Sequence, residues 1–216
     1  MSYKYLQLTP LLYGWPVMLL AGAVGGVIAV LFSLLHPLEY SSTTRILITQ
    51  ELSNVDAYTA SRSAERIADD LTGVIYTSDF FHKVMKGDAK IDQSYFPVDE
   101  ISLRKKWEKT VTASVSYSSG MMDIVAYNTD PAQAKEIATA VANIYVTEGA
   151  SYISGGDITV RVVDDPLNSR YPVRPNLPLN GISGLFLGAL GGMAYVYIQA
   201  DRQRRRHSVM HLEEDV

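Results

Sequence analysis

Two stretches of this 216-residue chain run for the thickness of a membrane without a charged side chain, and they limit its possible folds more than any other feature. Residues 179–198 are uncharged. With its flanks, that run is about long enough to cross roughly 30 Å of hydrocarbon as a helix. Residues 11–35 form a second apolar run, interrupted by Pro16. A cleaved secretory signal is the competing explanation for the first run, but its apolar core is too long and no small-x-small site precedes His36-Pro37. Tyr13 and Trp15 suit the headgroup level at its start. The expected architecture is a membrane hairpin enclosing a polar middle.

The second run is entered through Pro172-Val173-Arg174-Pro175-Asn176-Leu177-Pro178. Prolines three apart fix φ along a left-handed backbone of three residues per turn, so this entry is expected to be stiff and extended. Beyond it, Gly184, Gly188 and Gly192 recur every fourth residue, and Gly22 and Gly26 do so in the first run. Such ladders let another helix backbone approach closely. Two uses remain open at this point: packing the two helices of one hairpin, or packing one subunit on another.

Charge beside the runs sets orientation. Arg202, Arg204, Arg205 and Arg206 follow the second run and Lys4 precedes the first. The excess of cations on the cytoplasmic side of spans places both termini there. The expected plan is a cytoplasmic N-terminus over 1–10, a transmembrane helix over 11–35, and an extracytoplasmic domain over 36–179 with its proline-rich exit at 172–178. A second transmembrane helix over 180–199 and a cytoplasmic tail over 200–216 complete it. The middle is large enough to bury its own core. The chain has no cysteine, which rules out disulfides and thiolate metal sites in it, and its net charge of −4 argues against a nucleic-acid partner.

Within the middle, residues 40–50 are rich in β-branched side chains and read as a strand. Over 55–71 the period changes to helical: Ala60, Ala64, Ile67, Ala68 and Leu71 share one side, while Arg62, Glu65, Arg66 and Asp69 cover the other. Gly73 allows a stop. A further helix is expected from an N-cap at Ser78 through Phe80, Phe81 and Val84 towards Gly87. Residues 87–97 read as a loop. A short charged helix over 99–109 has Ile101, Leu103 and Trp107 as its apolar members.

Val111, Ala113, Val115 and Tyr117 then alternate with Thr112, Ser114 and Ser116, and Ser118-Ser119-Gly120 turns the chain into a second strand over 121–127. Thr129-Asp130-Pro131 starts a helix whose stripe is Ala134, Ile137, Ala138, Val141, Ala142 and Tyr145. A last strand over 157–163 runs into Asp164-Asp165-Pro166. The order predicts an α+β extracytoplasmic domain, a small sheet packed by helices, between two transmembrane α-helices. Its first and last strands are expected to be neighbours at the base.

No catalytic residue, cofactor or metal ligand stands out. His36, His82, His207 and His211 are far apart, without a ligand spacing inside one element. Asp164 and Asp165, adjacent in a strand, should point to opposite faces and read as a solvated strand end. Arg104-Lys105-Lys106 allows a glycan, lipid or phosphate contact, against the commoner solvated helix face. The tail ends in Glu213, Glu214 and Asp215, a possible contact for a cytoplasmic partner, while its basic start is explained by topology and anionic lipid.

With those residues in view, the chain resembles the chain-length determinant family, also called polysaccharide co-polymerases or the Wzz family. The resemblance covers nearly the whole length. It rests on the helix start Asp130-Pro131-Ala132-Gln133-Ala134-Lys135-Glu136-Ile137-Ala138, continuing to Asn143, and on the Pro172, Pro175, Pro178 series entering a glycine-rich second span. Leu177 stands where many members have Ser, and Leu179-Asn180 replaces a lysine often found there. The resemblance implies a non-enzymatic homo-oligomer in the bacterial inner membrane. It would set chain length in O-antigen (lipopolysaccharide), capsule or exopolysaccharide synthesis, beside a polymerase and the growing glycan.

The alternative is a transmembrane adaptor for a separate cytoplasmic tyrosine autokinase in polysaccharide export. The chain has no Gly-x-x-x-x-Gly-Lys-Ser/Thr phosphate loop, and the residues after Ile198 are too few for a kinase domain. The short ectodomain is closer in size to the adaptor-like members.

Overall fold

The computed structural model describes residues 13–50, 57–87, 89–116, 119–153 and 158–213. Lys4, Val55, Tyr117, Ser118, Asp157, Glu214 and Asp215, which carry expectations above, lie outside the described residues, as does the start of the first apolar run. The chain divides into two compact units: Leu38–Arg174, and the two ends of the chain together.

The first unit is α+β. Its strands are β1 (Tyr40–Gln50), β2 (Val111–Ser116), β3 (Met121–Asn128) and β4 (Ile158–Asn168). They form a sheet in the order β2-β3-β1-β4, antiparallel throughout. The first and last strands are neighbours, as expected. Alternation decides which face is covered: Ser42, Thr44, Ile46 and Ile48 of β1 are buried, as are Met122, Ile124, Ala126 and Asn128 of β3. Intervening residues face away, giving the sheet one packed face and one open face.

Among the described residues, four α-helices belong to this unit: α2 (Ala57–Val74), α3 (Ser78–Lys86), α4 (Glu100–Thr110) and α5 (Pro131–Glu148), with the apolar helix α1 (Trp15–Ser33) preceding them in the chain. α5 lies across β1, β3 and β4, and α2 across β1 and β2. The α5 start follows from sequence chemistry: the Asp130 carboxylate accepts from the Ala132 amide at 2.8 Å, and Pro131 occupies a position where no amide is needed. All six residues of its expected stripe are buried. At its far end Tyr145 stacks 4.8 Å from Phe80 and its hydroxyl donates to the Leu71 carbonyl at 2.8 Å. Burial pushes the Tyr145 pKa up, so the phenol remains a donor. Trp107 similarly buries its ring against Phe81 and donates from Nε1 to the Ile75 carbonyl at 2.6 Å. A buried indole or phenol needs such a partner.

Three local expectations are corrected. Thr77, not Ser78, caps α3, its Oγ1 accepting from the Phe80 amide at 3.3 Å; Ser78 Oγ instead accepts from Arg104. Ile101 is 68% exposed, because it falls on the opposite side of α4 from Leu103 and Trp107. β4 continues past Val163 to Asn168, with consequences for the open face described below.

The second unit pairs α1 with α6 (Leu177–Glu213). Both are long and apolar enough to cross a membrane, over Trp15–Ser33 and Leu177–Arg202. Only 11% and 17% of these stretches is buried, so their leucines and valines face outward, unlike a soluble core. α6 starts earlier than expected: Asn176 caps it, accepting from the Leu179 amide at 3.1 Å. Pro178 therefore sits in the first helical turn, where proline removes no bond, and the non-helical part of the proline series is 172–176. The helix also runs beyond the apolar stretch into the basic segment.

Candidate functional site

The sheet's open face carries a charged constellation that spans three strands. Arg45 is on central strand β1. Its Nε donates to Asp123 Oδ1 of β3 at 2.6 Å and its Nη2 to Asp123 Oδ2 at 3.3 Å. Its Nη1 lies 3.6 Å from Asp164 of β4 on the other side. The hydrogen bond to Asp123, then that carboxylate's charge, holds the guanidinium pKa above its ordinary value. Arg45 thus spends one fork on Asp123 and faces Asp164 with its remaining nitrogen. The Arg45 side chain is 40% exposed, so its value is geometric more than energetic.

Strand irregularity makes this face concave. Between Thr43 and Arg45, three residues of β4 oppose two of β1, and between Arg45 and Ile46 two oppose one. Thr44 Oγ1 ties the distortion down by donating to the Asp164 carbonyl at 2.7 Å. Bulges of this kind re-aim side chains. Here they bring Asp164 and Asp165 to one depression of about 600 Å³, shared with Ser41, Thr43, Arg45, Asp123, Leu167, Asn168 and Ser169. Both Asp164 and Asp165 are exposed, as a solvated reading expects, but they lie inside β4 beside the irregularity and not at its end. Sequence reasoning missed Arg45 and Asp123; the proline at 166 inside a strand was the available signal for the bulge.

A second arrangement pins the base of this unit. Glu39 and Arg174 form a backbone bridge, with the Glu39 amide donating to the Arg174 carbonyl at 2.8 Å. The Arg174 guanidinium lies 3.3 Å over the Tyr127 ring and donates to the Lys109 carbonyl at 2.6 Å. The residue between Pro172 and Pro175 therefore anchors the proline segment to the sheet. Stacking on tyrosine with a simultaneous hydrogen bond suits arginine specifically.

In the helical pair, all five glycines singled out from sequence lie at close approaches. A Cβ built on Gly22 would stand 3.1 Å from the Leu185 carbonyl oxygen, and one on Gly26 3.3 Å from that of Gly181. On the facing helix, a Cβ at Gly184 would be 2.6 Å from the Gly25 oxygen, one at Gly192 2.9 Å from Met18 Cα, and one at Gly188 would overlap the Ala21 carbonyl. The ladders are consumed by packing within one chain. Gly25 and Gly181 join the seam and were missed, since neither belongs to the four-residue series on its own helix. At one end Asn180 Nδ2 donates to Ser33 Oγ, satisfying a buried hydroxyl.

Other expected positions are accounted for locally. Arg104 lies 3.6 Å from Glu100 and donates to Ser78, and Lys106 sits 3.8 Å over the Tyr95 ring, so most of the basic run serves its own fold. Lys83 joins α3 to α5 through Glu148 at 2.7 Å, with Asp79 and the Tyr152 ring beside it, and its pKa is pushed up chiefly by Glu148. Among the described residues, no group of three or more His, Asp or Glu is arranged to hold a metal. Glu213 is the last residue of α6.

Compared with protein-family models and with curated proteins, the chain matches none.

Proposed function

We propose that this protein is a non-enzymatic membrane scaffold that regulates chain length in surface polysaccharide synthesis, as the resemblance to the chain-length determinant family implies. The observation that carries the reading is the way the chain is closed. A four-stranded α+β unit pairs its first and last strands, and a short segment joins each of them to one apolar helix of a glycine-packed pair. Such a chain joins a folded α+β unit to a helical pair at both of its ends.

In this role the Leu38–Arg174 unit lies on the extracytoplasmic side of a bacterial inner membrane, both termini are cytoplasmic, and copies of the chain assemble beside a polymerase. The segment 172–176, anchored through Arg174, is the covalent link by which ectodomain position reaches the span. The mechanism is geometric: repeated ectodomains offer the growing glycan or the polymerase a surface of fixed size. No proton transfer or bond cleavage is assigned to the chain.

The test is the surface-polysaccharide length distribution, resolved on gels, in cells lacking the protein and in the same cells complemented with it. A changed modal length with polymer still made is the expected result. Complete loss of polymer would replace length control with an export or kinase-adaptor role, and an unchanged distribution would overturn both.

A further inference from the structure

The depression around Arg45 has a composition that a cross-strand ion pair alone does not require. Its lining combines carboxylates at Asp123, Asp164 and Asp165 with hydroxyls at Ser41, Thr43 and Ser169, the Asn168 amide, and the 76%-exposed side chain of Leu167. We propose that it is a glycan-binding site that takes an uncharged or amino-bearing stretch of polymer. This inference rests on the polysaccharide role above and adds to it a place and a charge preference.

Three features select that ligand class. Sugars present rows of hydroxyls, each both donor and acceptor, and carboxylate, amide and hydroxyl side chains answer both needs. A volume of about 600 Å³ falls in the range of small-ligand sites. Leu167 supplies an apolar wall for the C–H side of a sugar ring.

Charge then narrows the class. Three aspartates and one arginine line the depression, and the guanidinium donates twice to Asp123 and faces Asp164 at 3.6 Å. A uronate or phosphate-bearing segment would meet surplus negative charge beside a guanidinium whose Nε–Nη2 fork is taken by Asp123, which is discrimination by repulsion. The same guanidinium, held among the carboxylates, disfavours a bare metal cation. Arg45 also prepares the site before binding, because it fixes acceptors from β3 and β4 relative to β1, so less ordering remains to be done when the ligand arrives.

The experiment uses the full chain in lipid nanodiscs and four fluorescent probes of matched length: oligosaccharides from dextran, chitosan and polygalacturonate, and those released from the producing cell's own polymer. Thr43→Trp fills the depression, Asp164→Asn with Asp165→Asn changes its charge at constant shape, and Thr159→Trp places the same bulk on the open face away from it. Binding of a neutral or amino-bearing probe, weakened about tenfold or more by both pocket variants and unchanged by T159W, is expected. Preference for polygalacturonate, insensitivity to T43W and the double asparagine variant, or no binding of any probe overturns the site.

The same variants in cells separate the two proposals. If deletion shifts modal length but T43W does not, the site fails and the length role stands. If deletion changes nothing, the length role fails and the nanodisc binding alone decides the site.

Discussion

Replacing Gly188 with alanine adds one methyl group where two backbones meet, and its cost can be set against a control three residues away. On Gly188 the new Cβ would lie 3.0 Å from Gly22 Cα and closer still to the Ala21 carbonyl oxygen; on Gly191 it meets nothing within 4 Å. Both substitutions gain about 1 kcal/mol of helix propensity, so that term cancels between them. To restore ordinary contact at Gly188 the helices must part by ~0.5–1 Å, which forfeits a quarter to a half of each dispersion contact along the seam. Overpacking of this kind costs ~1–3 kcal/mol, and Gly188→Ala should be less stable than Gly191→Ala by that amount. The chain has no native cysteine, so donor and acceptor dyes can be attached at cysteines replacing Leu20 and Leu190, both outward-facing. Separation of the helices is then followed through a denaturing-detergent titration. Equal midpoints for the two variants would refute the claim that the ladder is consumed within one chain.

Two further outcomes follow from the Leu38–Arg174 unit. Gly120→Ala should destabilise it by ~2 kcal/mol or more, because Gly120 has φ +61 and a Cβ there would stand 2.6 Å from the Ile48 oxygen and 2.9 Å from Ala64 Cβ; Gly73→Ala, with open space, should stabilise α2 by ~1 kcal/mol. Thermal unfolding reported by Trp107, in a Trp15→Phe background, checks both. Asp99 and Asp92 have pKa values lowered by hydrogen bonds from Ser102 and Ser94, so their contribution is fully present above the ordinary aspartate value of about 4 and is lost as pH falls through the lowered values. Asp99→Asn should flatten the acid limb of the stability curve, and an unaltered limb would remove Asp99 from it.

The elements set by local chemistry were legible in the sequence. β1 was bounded correctly because residues 40–50 are rich in β-branched side chains, and the start of α5 because a cap, a proline and a six-residue stripe agree. The sheet order was only partly accessible: the first and last strands were expected as neighbours, but that β1 also pairs with β3 depends on contacts 78 residues apart, as in Arg45 with Asp123. The glycine seam was half legible. A four-residue period identifies one stripe per helix, but Gly25 and Gly181 enter only through the crossing of two helices, which periodicity on one helix does not contain.

The acidic pair at 164–165 shows where pattern reading stops. Alternation assigns neighbouring side chains to opposite faces only if each residue of one strand opposes one of the next. β4 breaks that condition twice beside Arg45, and it does so in an edge strand carrying Pro166, where a missing amide breaks no ladder bond. An acidic pair followed by proline at the end of an apolar run is therefore ambiguous: in a regular strand its side chains alternate between faces, and in a bulged edge that alternation is suspended. What resolves the ambiguity is a cation on the neighbouring strand. Arg45 stands among Thr43, Thr44, Ile46 and Leu47 on a central strand, with its side chain 40% exposed on the open face, and it reaches one carboxylate on each neighbouring strand. Asp123 and Asp164 are those carboxylates, and both line the depression beside Arg45.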